Sequence, residues 1–532
     1  MKNLYNIMFL LGVVLLSSCM KDLDTIPLDD DAITSEKIYQ DPANYKLALA
    51  KCYIGLAVGG NEGGDGAGDI VGIDGGFSQY LRLYWYSQEL STDEAVMTWN
   101  DATIKDFHYQ TWTPSDVFVT AMYYRVLYQI TLCNSFIKNS TPGKLSDRGI
   151  PAEYHQDIAY YHAEARFLRA LSYWHGLDLF RNIPYTTEDD PIGAWFPSQV
   201  DPQVLFDKIE SELIAITDGE GGDDLMDPKA NEYGRADKAA AWMLLAKLYL
   251  NAEVYLGTGN ERYTEAITTL KNVFTSGYSL QSDFTDLFKA DNHNSPEIIF
   301  PIAFDGNNTQ TWGGTTFLVH AALGGSLTAT NYGVKDGWAG LRTTPEVVAL
   351  ADMGNDARAI FHTDGQNIEI NDVGIFEDGY ATPKFSNMTS TGSAGVKDDF
   401  VDTDFPVFRL ADAYLMYAEA VLRGGTGGDQ ATALGYINEL RLRAYGDNSG
   451  NIGAAELTLD FILDERCREL YWEGHRRTDL VRFGKFTGGS YLWSWKGNSK
   501  AGRATDSHRD IYPIPTDDLN ANNKLVQNPD YN

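Results

Sequence analysis

The run Asp464-Glu465-Arg466, followed by Glu469, Glu473, Arg476 and Arg477, gathers carboxylates and guanidinium groups in one short stretch. Two carboxylates held at a set separation are what glycoside hydrolysis requires. Here, however, acids and bases alternate at three- and four-residue steps, which on a helix produces an ion-pair ladder, either on the surface or between helices. The ladder is the better reading, because a chain with 74 acidic residues supplies carboxylate pairs by chance. His155 and His162 sit seven apart without a third ligand. Neither H-E-x-x-H nor G-x-S-x-G occurs. Residues 59–76 are half glycine, but they carry Glu62, Asp65, Asp69 and Asp74 where a phosphate cradle would need a lysine. They also lack the residue order of a calcium loop. Asp291, in ADNHN (290–294), could touch a calcium ion, but no ligand set surrounds it in sequence. No metal, cofactor or catalytic residue is expected.

Aromatic side chains are better placed for chemistry of another kind, namely binding. Trp, Tyr and Phe make up 12% of the chain. Most should be core, yet Trp99 (MTWNDA), Trp312 (QTWGGT) and Trp338 (KDGWAG) stand in polar, loop-like settings. Trp242, in AAAWMLLA, has the apolar neighbours of a core residue. Three flat faces among polar groups, with Asn100 and Asp101 beside Trp99, suit a stacking surface. The alternative for each is a buried anchor for its loop.

The elements that must position these rings are mostly helical. Residues 35–58 have Tyr45, Leu49 and Cys52 at helical spacing, and 153–180 repeat the pattern through Ala165, Leu168, Leu171 and His175. Residues 237–255 and 263–275 form a helix pair across Gly257 and Gly259, and 410–423 and 429–444 form another. Alanine and tyrosine at the contact positions resemble tetratricopeptide repeats, without a clean 34-residue period. Between 280 and 400 the helical pattern breaks down into Gly, Asn, Thr and aromatics, as in an irregular, loop-rich surface.

The N-terminus reads as an address. The ten-residue apolar run Ile7–Leu16 is too short to span a bilayer and suits a signal peptide. Leu16-Ser17-Ser18-Cys19 resembles a bacterial lipobox, in which the cysteine is lipidated. Residues 1–18 are thus a signal peptide and 19–34 a lipidated tether, with the charged run Lys21-Asp22-Leu23-Asp24 directly after the anchor. No second apolar run approaches a membrane span. Cys52, Cys133 and Cys467 show no disulfide or zinc pattern and are expected as buried thiols. A net charge of −32 repels nucleic acid and anionic surfaces.

Five stretches together resemble the SusD/RagB family of outer-membrane lipoproteins, and with the lipobox they span nearly the whole mature chain. They are AEARFLRALSYWHGLDLFRNIPY (163–185), YGRADKAAAWMLLAKLYLNAEVY (233–255), FPVFRLADAYLMYAEAVLR (405–423), ILDERCRELYWEGHRRTDLVRFGKF (462–486) and IYPIPTDDLNANNKLVQNPDY (511–531). YLRLYWYSQELSTDEAVMTWNDA (80–102) and TWGG (311–314) are similar to the family's starch-binding member.

The resemblance implies a mainly α fold: a tetratricopeptide-like helix-pair scaffold with an irregular ligand-binding region and a few short strands. Residues 35–532 then form one domain, with scaffold at about 35–58, 115–280 and 405–486 and ligand region at about 59–112 and 281–400. It implies a non-enzymatic lipoprotein on the cell surface that captures starch or malto-oligosaccharides for a SusC-like TonB-dependent transporter. A neutral sugar offers apolar ring faces and a rim of hydroxyls, which call for aromatics and for polar groups respectively. Trp99, Trp312 and Trp338 match the positions of the family's aromatic arc, and Arg82 and Asp74 match polar positions of the same site. For Arg82 and Asp74 a loop salt bridge is the competing reading. Other glycans, peptides, or a purely protein-binding scaffold remain open as alternative functions.

Overall fold

A helix apolar on nearly every side has to be central, and the one over His155–Phe180 is: beyond His162 almost all of its residues are buried. The computed structural model describes residues 34–64, 66–191, 195–218 and 224–531. The signal peptide, Cys19, the run Lys21–Asp24 and the tether up to residue 33 lie outside the described residues, as does Asp65 of the glycine-rich loop.

The helices that organise the structure are α1 (Ala43–Ile54), α2 (Tyr80–Trp85), α3 (Val117–Asn139), α4 (His155–Phe180), α5 (Pro202–Ala215), α6 (Lys238–Leu250), α7 (Tyr263–Phe274), α8 (Gly314–Ala321), α9 (Leu410–Leu422), α10 (Gln430–Tyr445), α11 (Leu459–Leu470) and α12 (Arg476–Arg482). Pairs stack in sequence order: α3 on α4, α4 on α5, α6 on α7, α7 on α9, and α9 on α10 and α11. Ala239, Ala240 and Ala241 are fully buried in α6, where small side chains let neighbouring helices approach. Trp242, expected in the core, is only half-buried against it. The helix starts are capped as their sequences suggest: Asp116 accepts from the backbone N–H groups of Phe118 and Val119, and Asp237 from that of Ala240.

Strands are few and short, so the mainly helical class holds. Two antiparallel pairs join distant segments: β1 (Val96–Met97) with β3 (Leu341–Arg342), and β2 (Ile298–Ile302) with β4 (Phe405–Arg409). Among the described residues no helix is long and apolar enough to cross a membrane. Cys52, Cys133 and Cys467 are buried and outside any disulfide.

The charged stretch at 464–477 is an inter-helix network, and most of it is buried rather than on the surface. Arg409 gives Glu473 two hydrogen bonds, at 2.6 and 2.8 Å, and reaches Glu469 at 2.6 Å and Glu297 at 2.8 Å. Arg358 bridges Asp356, Glu465 and Glu469, and Lys384 reaches Glu473 at 2.7 Å. Arg476 holds Asp93, Arg477 holds Asp178, and Arg466 holds both Asp412 and Asp479. Burial alone would raise the Glu465 carboxyl, but Arg358, Arg468 and Arg441 outweigh it and hold the group down at about 2.

Other buried acids depart from this pattern, among them Glu94, Asp116 and Asp404, and Glu89 is the clearest case. Glu89, in the π turn Tyr86–Leu90 that continues α2, is pushed well above the ordinary carboxylate range by burial and then by neighbouring Glu94. Its Oε1 still accepts from the backbone N–H of His475 at 2.8 Å.

Two outcomes follow from these charges. Replacing Arg409 by Met leaves Glu469 and Glu473 short of their partner, and chemical denaturation should show a loss of about 3–5 kcal/mol. For Glu89 the folded state keeps a proton that the unfolded chain releases near pH 4.5. The native chain binds more protons there, so this group's contribution to stability falls as pH rises. Glu89→Gln, which stays neutral, should make the melting temperature decline less between pH 5 and 8 than it does in the parent.

Candidate functional site

The pairing of β1 with β3 brings the candidate site together. Val96 lies opposite Arg342 and Met97 opposite Leu341, and the Thr98 N–H donates to the Gly340 carbonyl at 2.9 Å. The residues just beyond this ladder, Trp99 and Trp338, are thereby set side by side. Their ring centroids are 6.3 Å apart at 45°, and the Trp99 indole N–H donates to the Trp338 carbonyl at 3.1 Å.

Helix α8 is the platform under them. Trp312 lies two residues before its start, with its ring 6.0 Å from Trp338 at 64°. Phe317 packs edge-on against Trp99 at 6.0 Å. His320, 1% exposed, stacks on Trp338 at 4.5 Å and 18°. The Trp338 N–H donates to the His320 carbonyl, and the Gly340 N–H to that of Ala321, both at 2.8 Å. Burial lowers the His320 imidazole below its ordinary pKa, although the Asp336 and Asp399 carbonyls face its two ring nitrogens.

Trp99, Trp312 and Trp338 therefore form one continuous, bent array of half-exposed rings. It is an open surface: the cavities of about 290 and 280 Å³ elsewhere on the molecule have none of the three in their walls. Phe400 extends the array, its ring tilted at 41° against Trp312 with centroids 4.6 Å apart. Asp74 and Asp101 are exposed nearby, with Asn100 beside Trp99, and Asp336 and Asp399 add two more acids at the rim.

Arg82 lies beneath the rings. It is 3% exposed, and its Nη1 donates to the carbonyls of Gly76 at 2.7 Å and Trp312 at 2.8 Å while its Nε donates to the Tyr86 hydroxyl. The guanidinium lies 4.3 Å from the ring centroids of both Phe77 and Phe317 and 5.8 Å from that of Trp99. It ties the glycine-rich loop to the Trp312 backbone from beneath, so it acts as a positioning residue. Among the described residues its hydrogen bonds go to two carbonyls and a tyrosine hydroxyl, and the loop salt bridge that competed with ligand contact is not formed. Asp74 caps a 3₁₀ turn through the Gly76 N–H at 2.8 Å, and its side chain stays at the surface. The two ends of the loop are held by Arg125 on α3, which donates to the carbonyls of Gly59 and Ser78.

Glycine matters at two contacts, most strictly at Gly340. A Cβ on Gly340 would stand 2.7 Å from a ring carbon of Trp99, and one on Gly64 would stand 3.0 Å from the Trp312 indole nitrogen. Sequence reasoning missed Phe317, His320 and Phe400. The first two sit on a short helix inside a stretch read as irregular, and Phe400 in KDDF carries no local signal. Asp291 uses both carboxylate oxygens to clasp Ser390, and Ser140 takes up the Nδ1 of His162. Among the described residues no cluster of His, Cys, Asp and Glu could hold a metal ion.

Gly340→Ala should push Trp99 off Trp338 at an overpacking cost of about 1–3 kcal/mol. Near-ultraviolet circular dichroism should show altered tryptophan bands while the helical minima of the far-ultraviolet spectrum are kept.

Comparison with known proteins bears on this geometry. The family model for the SusD family matches residues 369–531. The starch-binding protein SusD of Bacteroides thetaiotaomicron is 34% identical, over 97% of this chain and 96% of its own. SusD-like protein P25 of Formosa agariphila is 24% identical over 89% of each chain. Among solved structures, surface glycan-binding protein A of Bacteroides thetaiotaomicron in complex with laminarihexaose superposes with a TM-score of 0.68 at 21% identity, covering 91% of this chain and 99% of that one. With a full-length relative at this identity and the same fold throughout, the chain belongs to the SusD family.

Proposed function

We propose that this protein is a cell-surface glycan receptor that captures starch and malto-oligosaccharides and passes them to a SusC-like TonB-dependent transporter. The bent array of Trp99, Trp338 and Trp312 carries the reading. Successive rings turn by 45° and 64°, so a glycan stacked on all of them must curve. A helical α-glucan has that curvature, whereas a straight, ribbon-like chain would reach one ring and miss the next. The starch-binding name of the 34% identical relative supports the same substrate.

Charge narrows the ligand further. Asp399 is paired with Lys335, and the remaining rim acids Asp74, Asp101 and Asp336 would disfavour sulfated or uronic-acid chains and can accept hydroxyl hydrogen bonds from a neutral sugar. Asn100 adds a donor. Trp99 and Trp338 are the stacking residues, Trp312 and Phe400 extend the track, and Arg82, Phe317 and His320 hold the rings in place.

A second reading, a β-glucan in place of starch, has one observation in its favour: a structural neighbour holds laminarihexaose. Cys19 would tether the protein to the outer membrane beside its transporter, facing outward. Shaving intact cells with protease should then degrade it.

Titration calorimetry of the soluble chain beginning at residue 24 tests the substrate. Maltoheptaose and a cyclodextrin should bind, while cellohexaose and a xylan oligosaccharide should not. Binding of laminarihexaose alone would replace α-glucan by β-glucan. Trp99→Ala and Trp338→Ala should each weaken binding at least tenfold with the melting temperature kept. Full affinity in both variants would exclude this site.

A further inference from the structure

We propose a second carbohydrate subsite on the far side of the glycine-rich loop, for a neutral, hydroxyl-rich pyranose segment of the same polymer. The inference rests on the glycan reading above and concerns a separate cavity. That cavity, of about 280 Å³, opens between the outer face of α3 and the loop at 71–73.

Its chemistry is complementary to a sugar. Tyr124 on α3 supplies a half-exposed aromatic face, with Thr120 one helical turn before it. Ser115 and Thr516 add hydroxyls, 3.3 Å from each other, and Asp517 adds an exposed carboxylate. This wall is preformed, because the Thr516 N–H donates to the Pro114 carbonyl at 2.9 Å. Val71 stands at the lip at 86% exposure, where the apolar face of a sugar could cover it.

Other ligand classes fit less well. The cavity walls contain no Lys, Arg or His, so nothing there would neutralise a phosphate or sulfate. Their single carboxylate is too little for a calcium ion, which takes six to eight oxygen ligands. The mixture of apolar surface with converging hydroxyls and one acid is that of a site for a neutral polyol.

The cavity is also placed to act with the tryptophan array. Phe118, next to the wall residue Val117, packs on Phe77 at 5.8 Å, and Phe77 carries the Arg82 guanidinium at 4.3 Å. The two sites thus flank one loop and share the aromatic layer beneath it. A polymer leaving the tryptophans around residues 71–76 meets the second site as an intramolecular event, which raises apparent affinity without a stronger contact at either one. A short oligosaccharide fills the first site alone.

The test compares polymer with oligomer on the soluble chain: amylopectin against maltoheptaose, and laminarin against laminarihexaose. Tyr124→Ala and Asp517→Asn should each weaken polymer binding roughly three- to tenfold and leave oligomer binding and melting temperature unchanged. Tyr124→Phe keeps the ring and should stay close to the parent. Unaltered polymer affinity in Tyr124→Ala would overturn the subsite and leave the tryptophan site standing, and so would an equal loss for polymer and oligomer. A loss abolished by high salt would overturn it in favour of a cationic partner. A parent chain silent towards both polymers would remove the glycan reading itself.

Discussion

The fold depends on charges kept out of water. Glu465, Glu469 and Glu473 project from one stretch of chain into the interior, and each is buried. Leaving such carboxylates unpaired would be strongly destabilising, so the chain must bring cations to them: Arg358, Lys384, Arg409, Arg441 and Arg443. These partners come from segments far apart in sequence, and each pairing fixes one segment against α11 or, for Lys384 on Glu473, against the link that follows it. The same stretch continues into Arg476 and Arg477, which fasten Asp93 and Asp178. Asp93 lies just before β1, so the network reaches to within a few residues of Trp99.

The exterior is acidic. The chain has 42 basic residues against 74 acidic ones, and many of its arginines are committed to the interior. Acids are buried along with them, so the surface keeps the acidic excess of the composition without adding to it. A surface of that kind favours neutral ligands, and the acids around the tryptophans belong to it.

From the core outward, rigidity is passed to the rings by backbone pairing and close packing. The β1–β3 ladder sets Trp99 against Trp338, α8 supports both through Phe317 and His320, and Arg82 ties the glycine-rich loop to the Trp312 carbonyl. The aromatic surface is therefore built in advance of any ligand, so little ordering cost falls on binding. Glycine at 340 lets backbone and indole approach where a Cβ would collide, and at 64 a Cβ would press on the Trp312 indole.

Helical periodicity made the scaffold legible, because burying one face of a helix leaves a three-to-four-residue imprint in the sequence. The polar settings of Trp99, Trp312 and Trp338 likewise marked rings that are only half-buried. The spacing of Glu465 and Glu469 put them on one face of α11, but the same spacing wrongly extended the helix to Glu473, which lies in the link between α11 and α12, and spacing does not say whether a face meets water. Only the arrival of Arg358 and Arg409 decides it. Arg82 illustrates the same limit: its type suits a surface donor, and its burial follows from Phe77 and Phe317 closing over it. Local sequence carries propensity and pattern. The bend of the tryptophan array, the place of Phe400 and His320 in it, and the cavity beside Tyr124 arise from contacts between residues hundreds of positions apart, and those exist only once the chain has folded.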